Sequence, residues 1–484
     1  MRRRFFLSGA LATVALPACA NAPEVSARPL LRPADAISRS APAADRLVAQ
    51  AGLGGRVGFV VSDARTGEVL ETHNPLRALP PASVAKAVTA LYALETLGPA
   101  YRFQTRLVAT APILNGRLDG DLVLVGGGDP ALDTDGLADM ATQAKAAGLR
   151  EVTGRFLVHG GAVPSFDRID RSQPDHVGYN PALGGLNLNF NRVHFQWKRN
   201  GSGYETTMDA RTARFRPAVA TSRMRVADRS LPVYTYASDG GVDAWTVARR
   251  QLGQSGARWL PVRNPALYAG DVMRTFLRSN GIVVGAPQRA TSVPQGPVLA
   301  LQQGAPLERV CASMLRYSTN LTAEMIGLTS TLRRGVIPRS LDQSGDVMSG
   351  WLAERTGARR PDFDDHSGLN GSTRISASDM VAALTAPGAR DRLRPILKEM
   401  TVEGAKPIAV RAKTGTLNFV SGLAGYFEAR SGRPLAFATF CADTARRDRL
   451  SVAERERPQG GRSWARTARG LQSDLIERWA LVHA

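Results

Sequence analysis

Leu79-Pro80-Pro81-Ala82-Ser83-Val84-Ala85-Lys86 is the stretch on which the reading of this chain turns. Two prolines stop any element before them, and Ser83 stands where a helix begins. Val84, Ala87, Val88, Leu91 and Leu94 then recur at helical spacing until Gly98-Pro99 ends the segment. Ser83 and Lys86, three residues apart, therefore share one face of that helix. A serine hydroxyl is a poor nucleophile until a neighbour takes its proton, and a lysine one turn away, partly buried beside another cation, is suited to take it. Alone the pair says little. With six lysines in the chain, Ser-X-X-Lys arises by chance roughly 0.4 times, and a plain helix N-cap accounts for Ser83 as well.

Two further motifs follow in order. Ser318-Thr319-Asn320 lies in a segment of helical periodicity from Leu307 to Leu332, and Lys413-Thr414-Gly415-Thr416 ends a strand pattern that starts at Ile408. Ser-X-Asn by itself fits a polar helix face, whereas Lys-Thr-Gly arises by chance only roughly 0.03 times in such a chain. On a strand edge, Lys413 can lower the proton affinity of Lys86 and bind an anionic substrate carboxylate. Ser318 and Asn320 can relay a proton to a leaving amine and hold a substrate amide. Backbone N–H groups of Ser83 and Thr416 can point at a developing oxyanion.

The rest of the composition sets bounds. At 484 residues the chain is too long for one ordinary core, and 43% hydrophobic with 21% charged residues excludes a disordered tail, a coiled coil and a fibrous repeat. The net charge of +20 points first to nucleic acid. That reading weakens on inspection: 56 of the 62 basic residues are arginines spread along the chain, and aromatics are only 6%. The basic stretch Arg211, Arg214, Arg216, Arg223, Arg225 and Arg229 reads as a solvated face, so no nucleic-acid partner is expected.

Met1 to about Ala22 reads as a signal peptide, with Arg2-Arg3-Arg4 before an apolar run. Arg3-Arg4-Phe5-Phe6-Leu7 resembles a twin-arginine export signal, and Leu16-Pro17-Ala18-Cys19 resembles a lipobox. Lipidation at Cys19, giving a membrane anchor, and cleavage after Ala20 or Ala22 both stay open. No later stretch reaches the 18 or so apolar residues of a membrane span. A periplasmic location follows as the expectation. There Cys311 and Cys441 could pair or stay as two buried thiols.

Residues 23–45 read as a linker rich in Ala, Pro, Ser and Arg. Arg56 to Ser62 and Glu68 to Thr72 flank a turn and predict a hairpin. From Tyr101 to Gly296 short β runs and Gly/Pro turns predict a mainly β insertion; helices and strands then alternate to a last helix at Trp464 to Val482.

Together, Ser83/Lys86, Ser318/Asn320 and Lys413/Thr414/Gly415 resemble the penicillin-binding proteins. The intervals of 235 and 95 residues between motifs resemble the class C low-molecular-mass group of D-alanyl-D-alanine carboxypeptidases and endopeptidases. Gly120-Asp121-Leu122-Val123-Leu124 leading into Gly127-Gly128-Asp129-Pro130, Leu186-Asn187-Leu188-Asn189-Phe190-Asn191, and Asp365-His366-Ser367-Gly368-Leu369 are also similar to that group. The resemblance implies an α/β (α+β) transpeptidase-like domain, an antiparallel sheet flanked by helices, split as 46–103 and 297–484. The insertion at 104–296 would hold an outer domain (about 104–128 and 211–296) and a nested one (about 129–210).

It further implies hydrolysis of D-Ala-terminal or D-Ala-linked bonds in peptidoglycan stem peptides through an acyl-enzyme on Ser83, and acylation of that serine by β-lactams. Lys86, Ser318, Asn320 and Lys413 would be catalytic; Thr414, Gly415, Thr416, Ser367 and Gly368 would bind substrate. No cofactor or metal is implied. Two alternatives share the fold: a serine β-lactamase, and a non-catalytic cell-wall or β-lactam-binding protein. The chain departs from the group at His366 and Gly371, which often has Gly-Ser-Gly-Leu-Ser-Arg where this chain has His366 to Gly371. His366 reads as a hydrogen-bonded loop histidine rather than an acid–base group. Gly371 stands at the arginine position, with Arg374 the nearest arginine downstream.

Overall fold

The computed structural model describes residues 41–483 except positions 360 and 405. The signal-peptide reading, Cys19 and residues 23–40 of the linker lie outside the described residues. A helix at Ala44–Ala51 already covers the linker's expected end.

Six strands form one antiparallel sheet in the order Lys398–Val402, Ile408–Leu417, Val420–Glu428, Pro434–Ala442, Arg56–Asp63, Val69–His73. The predicted hairpin thus joins strands from the far end of the chain, with Val60 opposite Ala438. Side chains alternate between two cores, as the strand period demands. Phe59, Val61, Phe437 and Cys441 pack with Trp464, Leu475 and Trp479 of the closing helix Gly461–Val482. Val60, Ala438 and Phe440 face the other layer, where the Ser83 helix (Ala85–Leu97) lies. Small residues on that face, Ala424, Ala436 and Ala438, leave room for it. Every residue from Ala85 to Leu94 is buried, because sheet and helices enclose the element on all sides.

Cys311 and Cys441 are both free and buried, one in each core. The pairing left open by the sequence is therefore resolved against a disulfide. The expected single helix from Leu307 to Leu332 is two, Leu307–Tyr317 and Asn320–Arg333. Ser318 breaks them: its φ of 60° is left-handed, and its N–H closes the first helix on the Met314 carbonyl at 2.7 Å. For a residue with a side chain this conformation costs about 1–2 kcal/mol.

The region between the first and second motifs contains a five-stranded sheet, three three-stranded sheets, and the helices Thr134–Ala146 and Pro265–Ser279, which share its core. Strand pairing draws edges that periodicity does not reveal. Val298–Gln303 pairs with Gln104–Ala109, so the accessory sheet runs past residue 296. Arg192–Asn200 pairs with both Gly203–Asp209 and Ser255–Pro261, which links the two sides of the expected division at 210. Val163, Ile169 and Leu183 of this region share a small core with Leu321, Met325 and Leu328 on the Ser318-motif helix.

Candidate active site

Residues 82–84 form a single 3-10 turn ahead of the Ser83 helix, so Ser83 lies in a turn and makes no side-chain cap. Two flanking elements grip that turn. A Cβ on Gly415 would sit 2.3 Å from the Pro81 carbonyl oxygen, and one on Gly368, at φ +69°, would sit 2.0 Å from that of Ala82. Both positions therefore require glycine, for lack of space, and Gly368 for its backbone as well.

The Lys413 strand, Ile408–Leu417, supplies the other wall. Its neighbour Lys398–Val402 pairs only as far as Ala412, leaving the Lys413–Leu417 edge without a strand on that side among the described residues. Such an edge presents N–H and C=O groups to an extended peptide. Along it Lys413 and Gly415 are buried, while Thr414 and Thr416 are exposed.

Lys86 is fully buried and its Nζ donates three hydrogen bonds: to Ser83 Oγ at 2.9 Å, Asn320 Oδ1 at 2.8 Å and the Ser367 carbonyl at 2.7 Å. Burial pushes this ammonium down to about 8, against Asp365 and Glu324, which favour its charged form. Lys413 Nζ donates to Ser318 Oγ at 3.0 Å and to the Thr414 carbonyl at 2.7 Å. Burial, with Lys86 and Lys398 nearby, pushes Lys413 down to about 7. Each motif serine thus touches one lysine.

The structure brings together Ser83, Lys86, Ser318, Asn320 and Lys413. Ser83, Ser318, Asn320, Gly368 and Thr416 line an open cleft of about 920 Å³. Ser367 differs from its expected substrate-binding place. It is buried, and its carbonyl holds Lys86 instead. Thr414 lies outside the cleft lining, its carbonyl committed to Lys413. Arg374 donates to the carbonyls of Gly371 and Thr373 at 2.6 and 2.9 Å, so it serves its own loop. His366 is buried behind the site, with Nε2 2.7 Å from Ser344 Oγ, and burial pushes its pKa down to about 3.

Sequence reasoning missed several contributors. Glu324 lies four residues after Asn320 on the same helix face, and that spacing was legible. Its carboxylate accepts the N–H groups of Ser367 and His366 at 2.9 and 3.1 Å, fixing the carbonyl that Lys86 meets. Asp365 accepts from the N–H groups of Gly368 and Asn370 at 2.6 and 2.7 Å. Burial raises the pKa of both acids. Tyr179, from the accessory region, accepts from Asn320 Nδ2 through its carbonyl at 2.9 Å. No local pattern announces that contact.

Comparison with known proteins agrees with this geometry. The D-Ala-D-Ala carboxypeptidase 3 (S13) family matches residues 41–457. A D-alanyl-D-alanine carboxypeptidase of an Actinomadura species is 27% identical over 423 residues, covering 79% of this chain and 76% of that protein. The D-alanyl-D-alanine carboxypeptidase DacB of Haemophilus influenzae is 24% identical over 414 residues, covering 80% and 85%. The crystal structure of penicillin binding protein 4 (dacB) from Haemophilus influenzae has the same fold, with a TM-score of 0.72 at 21% identity over 90% of this chain and 99% of that one. A second structure of that protein, complexed with a novel β-lactam, gives a TM-score of 0.70 at 20% identity. With its match spanning all three motifs and most of the chain, this protein belongs to the S13 family of D-Ala-D-Ala carboxypeptidases, penicillin-binding serine peptidases.

Proposed function

We propose that the protein removes the terminal D-alanine from peptidoglycan stem peptides, and opens D-Ala-linked cross-bridges, through an acyl-enzyme on Ser83. One observation carries the assignment of roles: a fully buried Lys86 Nζ at 2.9 Å from Ser83 Oγ. Lys86, in its neutral form, takes the Ser83 proton as Oγ bonds to the carbonyl carbon of the penultimate D-alanine. The N–H groups of Ser83 and Thr416 stabilise the resulting oxyanion. Ser318, hydrogen-bonded to Lys413, passes a proton to the departing amine as the peptide bond breaks, and Lys413 attracts the carboxylate of the departing D-alanine. Asn320 orients both Lys86 and the substrate amide. Water then attacks the ester and regenerates Ser83.

A β-lactam carries the same amide and carboxylate and would acylate the same oxygen. Fluorescent penicillin should label the wild type and leave S83A unlabelled; equal labelling of the two would sink the assignment. Release of D-alanine from a pentapeptide separates the enzyme from a β-lactam-binding protein without activity. A penicilloyl adduct that persists in intact-mass spectra separates it from a β-lactamase. We also propose action in the periplasm, supported by the leader-like Met1 to Ala22. Cell fractionation of the wild type and an R3K/R4K variant tests the export route, and mass spectrometry of the mature chain tests lipidation at Cys19.

A further inference from the structure

Among the arginines that line the cleft with Ser83, two are committed to the protein and four are not. Arg447 donates to the Asn418 carbonyl at 3.4 Å and Arg455 to the Ser172 carbonyl at 2.7 Å. Arg457, Arg462, Arg466 and Arg469 are exposed and make no ion pair or side-chain hydrogen bond among the described residues. The single carboxylate in that lining, Glu456, is already engaged by His176 at 2.9 Å and Arg258 at 3.0 Å. Elsewhere in the catalytic domain arginines do find acids: Arg355 meets Glu95 at 2.9 Å, Arg433 meets Asp63 at 2.8 Å and Arg478 meets Glu71 at 2.8 Å.

The local sequence supplies no acid to neutralise these four: from Arg457 to Ser473 there is neither Asp nor Glu. Arg462, Arg466 and Arg469 follow at intervals of four and three on the closing helix Gly461–Val482, so they share one face, while Trp464, Ala468 and Leu471 of the same helix fill the core. Like charges at that spacing destabilise a helix in the free protein. The row is about 10 Å long at the helical rise per residue. One guanidinium satisfies a small anion, whereas three in a row, with Arg457 in the same lining, are complementary to an anion that repeats.

What shares the cleft identifies the occupant. Ser83, Thr416 and these arginines line one cavity, so whatever rests on the arginines is continuous with the substrate. A stem peptide ending in D-alanine carries a terminal carboxylate, and a polymer that displays many such peptides is a polyanion. We propose that Arg457, Arg462, Arg466 and Arg469 form a docking surface for the peptidoglycan polymer, holding carboxylates of neighbouring stem peptides while Ser83 acts on one. This rests on the carboxypeptidase reading above and adds to it a contact with peptides that are not being cut. The enzyme therefore favours polymer over free peptide, through an attraction between exposed charges that salt weakens.

The test measures co-sedimentation of S83A, which cannot be acylated, with purified peptidoglycan sacculi. Its Kd should rise about tenfold between about 50 and about 300 mM salt. Adding R457Q, R462Q, R466Q and R469Q together should weaken binding about tenfold, the sum of four exposed charge contacts, whereas lysine at all four positions should stay within about threefold. The glutamine variant should melt no lower than its parent, because like-charge repulsion is relieved; if it does melt lower, R466E alone carries the test, with an expected loss of about threefold. Sacculi whose carboxylates have been converted to amides should no longer retain the protein. On the active enzyme, the glutamine changes should lower the ratio of D-alanine release from sacculi to release from a free pentapeptide about tenfold. An unchanged ratio, binding indifferent to salt, or retention on amidated sacculi overturns the proposal, as does tighter binding to vesicles of equal phosphatidylglycerol and phosphatidylcholine than to sacculi. Arginine-dependent binding to sacculi without D-alanine release from either substrate would uphold the docking surface while refuting the carboxypeptidase reading.

Discussion

Replacing Gly368 by alanine tests whether the nucleophile's turn is held in place by contact from its flanking loop. The new Cβ would start 2.0 Å from the Ala82 carbonyl oxygen. Real Cβ contacts stay beyond 3.0 Å, so about 1 Å of movement must come from one side or the other. If the turn moves, Ser83 moves with it, and a displacement of that size costs about 10²-fold in rate. If the loop moves instead, the Ser367 carbonyl leaves Lys86, which it meets at 2.7 Å, and the base loses its anchor. Either route lowers acylation. The stability cost combines a left-handed alanine, about 1–2 kcal/mol, with local overpacking of about 1–3 kcal/mol. Gly357 is a matched control: it has the same φ of +69° with nothing within 4 Å of its Cβ. G357A should lose only the backbone part of the stability and acylate as the wild type does. The assay is the second-order rate of acylation by fluorescent penicillin, read beside thermal melting. G368A acylating within threefold of the wild type would refute the reasoning.

At saturating β-lactam the first-order acylation rate should rise about tenfold per pH unit up to pH about 8 and then level off, because Lys86 must lose its proton to act as the base; a flat profile from pH 6 to 9 would point to another base. In the free enzyme Lys413 loses its charge at about 7, so KM for carboxylate-bearing substrates should climb above that pH in steady-state assays. K86A should lose acylation by about 10²–10⁴-fold while still melting cooperatively. H366N should lose about 2–3 kcal/mol through its bond to Ser344 and its stacking on Tyr92. Its pH–rate profile should match the wild type, because a ring with a pKa near 3 is neutral throughout the assay. The melting temperature should be the same with and without reductant, since Cys311 and Cys441 lie in different cores.

What was legible in the sequence follows from the range of the interaction concerned. The Ser83–Lys86 contact is one helical turn long, and periodicity sufficed to find it. The strand carrying Lys413 announced itself by alternation and by a rare tripeptide. Ser318 was found as a motif but not as a break, because neither flanking residue is Gly or Pro and apolar spacing continues across it. The central sheet pairs Arg56–Asp63 with Pro434–Ala442, a match between segments far apart that only the family resemblance anticipated. Ser367 was misassigned to substrate because a loop motif does not tell which way its carbonyl points. The arginines along the cleft were hidden by the overall excess of that residue: Arg446 to Arg469 look like more of the same composition, and only the fold brings six arginines, Arg447, Arg455, Arg457, Arg462, Arg466 and Arg469, into the cleft lining.

The Tyr179 carbonyl on Asn320 has a mechanical consequence. Asn320 is the only side chain described here that bonds both the general base and a segment of the accessory region, through Oδ1 to Lys86 and Nδ2 to Tyr179. The accessory region also meets the Asn320 helix through the core of Val163, Ile169 and Leu183 with Leu321, Met325 and Leu328, so the amide is one of several contacts by which it braces the motif. The inserted region is thus part of the scaffold that holds Lys86 against Ser83, and a change in the Tyr179 segment would be felt at the amide that positions this lysine.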